Sequence, residues 1–222
     1  MKIRYIISIA TVMSTLVGCG SIYSPTLNLP YEPLQRDHGQ FTTAASALPQ
    51  VGNPNMNFAG SGEAALSYGF SDRVSLQLKA WDQGSELIQA KYNGGSSLSA
   101  TILLTKKDAD VPVALIPSSV MLVNGNSVSA LGGMLECAVW LHEIGMFRPY
   151  LAGGGGILSN SFRDKDWGYG VLGNAGVSAK FSDNFRLNFE IFGGVQRYLK
   201  SSTTSGFLAP TLSVSWAFDN RE

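Results

Sequence analysis

The sequence predicts an all-β fold: an up-and-down antiparallel β-barrel of about ten strands, with eight as the alternative. Three observations carry that expectation. Apolar and polar residues alternate with period two in run after run, as in Val74, Leu76, Leu78 and Ala80 against Ser75, Gln77, Lys79 and Trp81. Tight turns and longer loops take turns as connections along the chain. Charged residues make up 14% of the chain, against about a quarter in an ordinary domain, and 25 of its residues are glycine. Few charges, much glycine and no long apolar run suit many short strands rather than helices.

The chain opens with Lys2 and Arg4, then an apolar run from Tyr5 to Val17, then Gly18 and Cys19. That order is a charged n-region, an apolar h-region and a small residue before a cut. The run is shorter than the roughly 20 residues a spanning helix needs. Leu16-Val17-Gly18-Cys19 closely resembles the lipobox of bacterial lipoproteins. The resemblance implies that residues 1–18 are removed, that Cys19 is diacylated, and that its new amine is acylated as well. Gly20 stands where an aspartate signals inner-membrane retention in some bacteria, so the same resemblance implies an outer-membrane address. An ordinary secretory peptide with a chance cysteine is the alternative.

Loss of residues 1–18 removes two bases and no acid, leaving 14 basic residues against 16 acidic. With no basic surplus, nucleic acid is not an expected partner. Cys137 is the second of two cysteines. With Cys19 taken by lipid it has no partner for an intrachain disulfide.

Residues 19–38 read as a lipidated tether, since Pro25, Pro30 and Pro33 interrupt any regular element. Tyr23, Leu27 and Leu29 would alternatively pack along a groove of the domain. Residues 39–222 read as the barrel. Strands are expected near 40–48, 58–70, 73–82, 96–105, 111–117, 127–141, 147–158, 167–181, 185–199 and 206–218. The fifth is cut at Pro117, because proline belongs at strand ends and edges. Merging strands there produces the eight-stranded alternative. Phe185, Leu187, Phe189, Ile191 and Val195 share one face of the ninth strand, and Arg186, Asn188, Glu190 and Gln196 the other. Leu131, Leu135, Cys137, Val139 and Leu141 alternate in the sixth, and Leu208, Leu212, Val214, Trp216 and Phe218 in the tenth.

Short turns are expected at 70–73, 106–110, 142–146 and 181–184, and loops at 49–57, 82–95, 117–126, 160–166 and 200–205. The hairpin Leu66 to Leu76 echoes Val177 to Leu187, each built as strand, aromatic, Ser-Asp turn, strand. This Phe-Ser-Asp hairpin resembles the short-turn hairpins of small bacterial outer-membrane barrels. Trp216 and Phe218 are similar to the aromatic end of their last strand, although Asp219 to Glu222 follow here. The resemblance implies outer-membrane lipid around the barrel, short turns in the periplasm and loops outside the cell. Aromatic girdles are expected at Tyr68, Phe70, Phe147, Phe181, Phe185, Trp216 and Phe218 on the turn rim. Phe58, Trp81, Trp167, Tyr169, Tyr198 and Phe207 form the counterpart on the loop rim.

The inward face is expected to carry Glu63, Lys79, Glu136, Arg148, Lys180, Arg186 and Glu190. Mixed charges in so narrow a lumen pair with each other and plug it, because an unpaired buried ion is costly. Three functional classes follow. The first is a structural or accessory outer-membrane lipoprotein that meets other envelope proteins through loops or lumen. The second is a lipid-tethered soluble barrel that binds a small apolar ligand, with the polarity of its faces reversed. The third is a lipid-modifying hydrolase using His142 beside Glu143. It lacks a Gly-x-Ser-x-Gly elbow, and its histidine lies on the rim expected to face the periplasm. His38 beside Asp37 reads as a turn residue. No metal cluster or cofactor is expected from two histidines and one free cysteine. The run Gly153–Gly156 is followed by no Lys-Ser/Thr and reads as a place where a bulky lumen group approaches the wall.

Overall fold

A computed structural model describes residues 33–49, 58–83, 93–106, 109–124, 127–160, 166–200 and 204–219. The signal segment, Cys19, and Tyr23, Leu27 and Leu29 of the tether lie outside these residues. Ten strands form one closed sheet: β1 (His38–Pro49), β2 (Phe58–Gly69), β3 (Val74–Gln83), β4 (Asn93–Leu103), β5 (Val113–Asn124), β6 (Ser127–Trp140), β7 (Phe147–Asn160), β8 (Asp166–Lys180), β9 (Phe185–Tyr198) and β10 (Thr204–Asp219). Each strand pairs antiparallel with its sequence neighbours, and β1 closes on β10 from His38↔Asp219 to Ser46↔Thr211. Closure leaves no strand edge without a partner. The barrel is the one expected, and the count is ten rather than eight.

β5 corrects the reading of the middle of the chain. It does not stop at Pro117 but runs on to Asn124, which pairs with Ser127. Proline has no N–H for a ladder, and the ladder accommodates it. β5 pairs with β4 at Ser99↔Ser118 and at Ile102↔Leu115, with no pair at the two positions between, while Pro117 stays in register with Leu135 of β6. A loop expected at 117–126 is therefore mostly strand. The strict alternation of turns and loops fails with it, since only residues 125–126 separate β5 from β6 on the loop rim. On the turn rim, 104–112 between β4 and β5 is as long as 84–92 between β3 and β4.

Period two sorts the side chains. In β8 the outward Trp167, Tyr169, Val171 and Ala175 alternate with the buried Asp166, Gly168, Gly170, Leu172 and Asn174. The outer face is apolar, with Leu66, Leu78, Leu135, Leu151, Val171 and Val195 all at least half exposed. By strand parity, Asp82 and Arg197 are the charged residues on the described outward positions, and both lie at the loop rim. The inner face is mixed. Trp81, Val120, Leu122, Ala130, Leu158, Leu172 and Phe192 form one buried apolar cluster towards the loop rim. Leu103, Ala114, Ile116, Ala138, Trp140 and Tyr150 form a second towards the turn rim. β9, β10 and β1 instead present Asn188, Glu190, Thr211, Ser213, Ser215, Gln40, Thr42 and Ser46, all buried.

Candidate functional site

Parity sends the expected lumen charges inward, and six of the seven are buried: Glu63, Lys79, Glu136, Arg148, Arg186 and Glu190. Lys180 departs from that group. It is the last residue of β8, about one-third exposed, and it pairs with Asp183 of the adjoining turn at 3.1 Å. Its position at the strand end places the ammonium at the turn-rim mouth.

Glu190 is held by two partners on neighbouring strands. The Tyr150 hydroxyl donates to Oε1, and Asn174 Nδ2 donates to Oε2 at 3.1 Å. The geometry follows from register. Tyr150 of β7, Gly176 of β8 and Glu190 of β9 lie in one row across the sheet. A Cβ built on Gly176 would fall on the Tyr150 ring. Glycine at 176 thus lets the ring lie flat on the wall and reach one strand further, as glycines elsewhere in sheets accept aromatic cover. Glu136 lies over Gly154 and Trp81 over Gly95 in the same way. This is the close wall approach expected for Gly153–Gly156, at its inward members Gly154 and Gly156, the latter beneath Met134.

The basic side chains make further contacts. Arg148 donates from Nε to the Leu141 carbonyl at 3.4 Å and from Nη2 to the Asp110 carbonyl at 3.5 Å, which ties two turn-rim connections together. Lys79 Nζ stands 6.0 Å from the centre of the Trp81 ring, a cation–π distance. Arg186 donates from Nη1 to Gln40 Oε1 at 3.3 Å. Gln40 donates to Thr42 at 3.1 Å, Thr42 and Ser215 share a bond of 2.9 Å, and Asn188 donates to Ser213 and Ser215 at 3.0 and 3.1 Å. Ser178 donates to the Asn188 carbonyl oxygen. The chain of bonds crosses the β1–β10 closure and joins the barrel's first strand to its last. Nothing in the sequence marks Tyr150, Asn174 and Gln40; only cross-strand register reveals them.

The turn-rim aromatics stand on the outer face, with ring pairs Tyr68–Phe70 at 5.3 Å, Phe181–Phe185 at 6.1 Å and Phe185–Trp216 at 6.5 Å. The loop-rim girdle is smaller than expected. Trp167 and Tyr169 face outward, but Trp81 and Tyr198 share the inward parity of Lys79 and Gln196 and belong to the lumen. The side chains of Phe58 and Phe207 lie outside the described residues. Residues 33–37 lead into the barrel across the turn rim. Leu34 is buried, Asp37 N–H donates to the Gly69 carbonyl at 2.9 Å, and the Tyr68 hydroxyl donates to Asp37 at 3.1 Å. His38 is tied to this lead-in by a 3.0 Å bond from Nδ1 to the Arg36 carbonyl. His142 and Glu143 are both exposed on the connection 141–146, and Cys137 is an exposed free thiol on the outer face. Among the described residues no group of three side chains could hold a metal ion.

No protein-family model matches the chain, and no curated protein matches it in sequence. Among solved structures the chain is similar to the N-terminal β-barrel domain of Pseudomonas aeruginosa OprF, at 14% identity and a TM-score of 0.41, over 83% of this chain and 100% of that one. It is similar to the COG4313 outer membrane channel from Pseudomonas putida F1, at 11% identity and a TM-score of 0.45, over 88% of this chain and 100% of that one. It is likewise similar to the KdgM porin, at 10% identity and a TM-score of 0.41, over 81% of this chain and 99% of that one. These likenesses concern fold and carry nothing about ligand or role.

Proposed function

We propose that this chain is an outer-membrane β-barrel lipoprotein, held through acylated Cys19, with a structural or accessory role in the envelope and a lumen stoppered by its own side chains. One observation supports the membrane part above all others. The outward face is apolar around the barrel, and its formal charges sit at a rim, while polar and charged side chains turn inward. A soluble ligand-binding barrel has the reverse polarity. The lipobox resemblance supports the anchor. β1 starts at the turn rim, so an anchor a short tether away puts that rim on the periplasmic side. Two apolar clusters and the bonded polar row occupying the lumen support the stopper. Outer-membrane lipid is the first partner, and other envelope proteins meet the exposed connections.

The mature chain should need detergent to stay monodisperse, and it should show no steady single-channel conductance in a planar bilayer. Solubility without detergent overturns the membrane reading; stable conductance overturns the stopper. Cys19→Ser should abolish labelling by a palmitate analogue, and equal labelling of both proteins removes the anchor. An epitope placed in 84–92 should be reached by antibody on intact cells and one in 104–112 should not. The opposite result inverts the topology. That test now carries the orientation, because connection length no longer sorts the two rims.

A further inference from the structure

We propose that a cleft at the turn rim binds the phosphate head group of an anionic phospholipid from the adjoining leaflet. The inference rests on the membrane reading above. The cleft holds about 280 Å³ where the lead-in Pro33–Gln35, the ends of β1, β8, β9 and β10, and the turn 181–184 come together. His38, Lys180 and Arg186 line it, with Asp183 as the one carboxylate among its lining residues. Arg186 is 7% exposed and is positioned by its bond to Gln40. A guanidinium fixed in this way is suited to phosphate, which it meets with paired N–H donors. Lys180 reaches in from the end of β8. Its partner Asp183 is 94% exposed, so that ion pair is weak and yields to a better anion.

The cleft's apolar lining is Leu34, Ala217 and Phe218, of which Phe218 has outward parity and Ala217 inward. Phe218 stands with Trp216 and Phe185 on the outer face, and its ring covers Gly39, where a Cβ would collide with it. Through Phe218 the cleft borders the lipid-facing surface, while Arg186 brings a cation to it from the inner face. An amphiphile has those two parts in that order. A free phosphate would use only the cationic side; the apolar wall selects the lipid. Basic pockets between transmembrane helices bind anionic head groups by the same pairing of cations with phosphate.

The test uses the mature chain in neutral detergent, titrated with phosphatidylglycerol or phosphatidylcholine and followed by native mass spectrometry. The wild type should retain phosphatidylglycerol about five-fold more tightly, the factor one cation contributes near an anionic surface. Lys180→Gln should erase most of that preference, and Asp183→Asn, by releasing Lys180, should raise it. A heat-modifiable gel band should show that both variants remain closed barrels. Equal retention of the two lipids by the wild type, or unchanged preference in both variants, overturns the site. Competition by glycerol phosphate as strong as by the lipid overturns the choice of ligand. Failure of the membrane reading shows separately, as a chain that stays monodisperse without detergent.

Discussion

On β5, β6 and β7 the lumen is filled by volume: Ile116, Val120, Met134, Trp140, Tyr150 and Leu158 press inward from three adjacent strands. On β9, β10 and β1 it is filled by hydrogen bonds among short side chains, of which Thr42–Ser215 and Ser46–Thr211 are examples. The difference bears on how each wall knows its register. Outside, β9 and β10 are apolar but for Arg197 at the loop rim, so a one-residue slip would put Arg186, Asn188 and Glu190 on the apolar face. Strand β5 is apolar on both faces, Leu115 and Met121 outside against Ile116 and Leu122 inside. Alternation cannot fix its register. Shape does so instead, through the proline gap, the irregularity between Leu122 and Val123, and the glycines beneath large neighbours.

The largest effect expected on this contrast comes from the volume-filled wall. Trp140→Ala should lower stability by about 3–5 kcal/mol, the range for deleting a buried aromatic. Guanidinium unfolding in lipid vesicles, followed by circular dichroism, measures it; a loss under 1 kcal/mol would mean that the wall is not close-packed. Next comes the outer side of the bonded wall. Ile191→Arg, midway along β9, should cost about 2–4 kcal/mol in bilayers, and Leu187→Arg, two residues from the turn rim, about 0–1 kcal/mol. Equal, negligible costs at both positions would remove lipid from the outer face. Gly176→Ala tests the row where the two walls meet. Its methyl should displace the Tyr150 ring from Glu190 and cost about 1–3 kcal/mol by overpacking, visible as a loss of near-ultraviolet dichroism. Retention of that signal at full stability would show that the ring has another place to lie. The smallest effects form a pair. Ser46→Ala should cost about 0.5–1.5 kcal/mol, because it takes a partner from Thr211. Ser118→Ala should be close to neutral, because the Ser118 hydroxyl is buried without a hydrogen-bond partner among the described residues. Equal losses at the two serines would erase the distinction between the walls.

Legibility in the sequence follows the same division. The first half of β9 is readable because polar and apolar residues alternate strictly from Phe185 to Ile191, and the inward placement of Arg186 and Glu190 comes with it. The sequence alone stops β5 early, because Val113 to Val123 carries no alternation and Pro117 reads as a boundary. Nearness to strand ends suggests a girdle for Trp81 and Tyr198, although each lies two residues from an inward polar neighbour. The partners of Glu190 were out of reach for a different reason. Period two states which face a residue occupies, but Tyr150 and Glu190 are 40 positions apart, and what brings them together is the pairing of three strands. Lys180 shows a limit of parity itself: at the last residue of a strand the inner face opens into the mouth, and a turn residue supplies its partner.

Ten is an even number, and the chain leaves the sheet at the rim where it entered: His38 and Asp219 are cross-strand partners. For a barrel assembled from the periplasm, neither end of the wall then has to be carried through hydrocarbon. Translocation falls to five hairpin tips, one of them only residues 125–126 long. The polar cargo of insertion is set by those tips, and a lipid held at the turn rim as proposed above could stay where it is while the sheet closes.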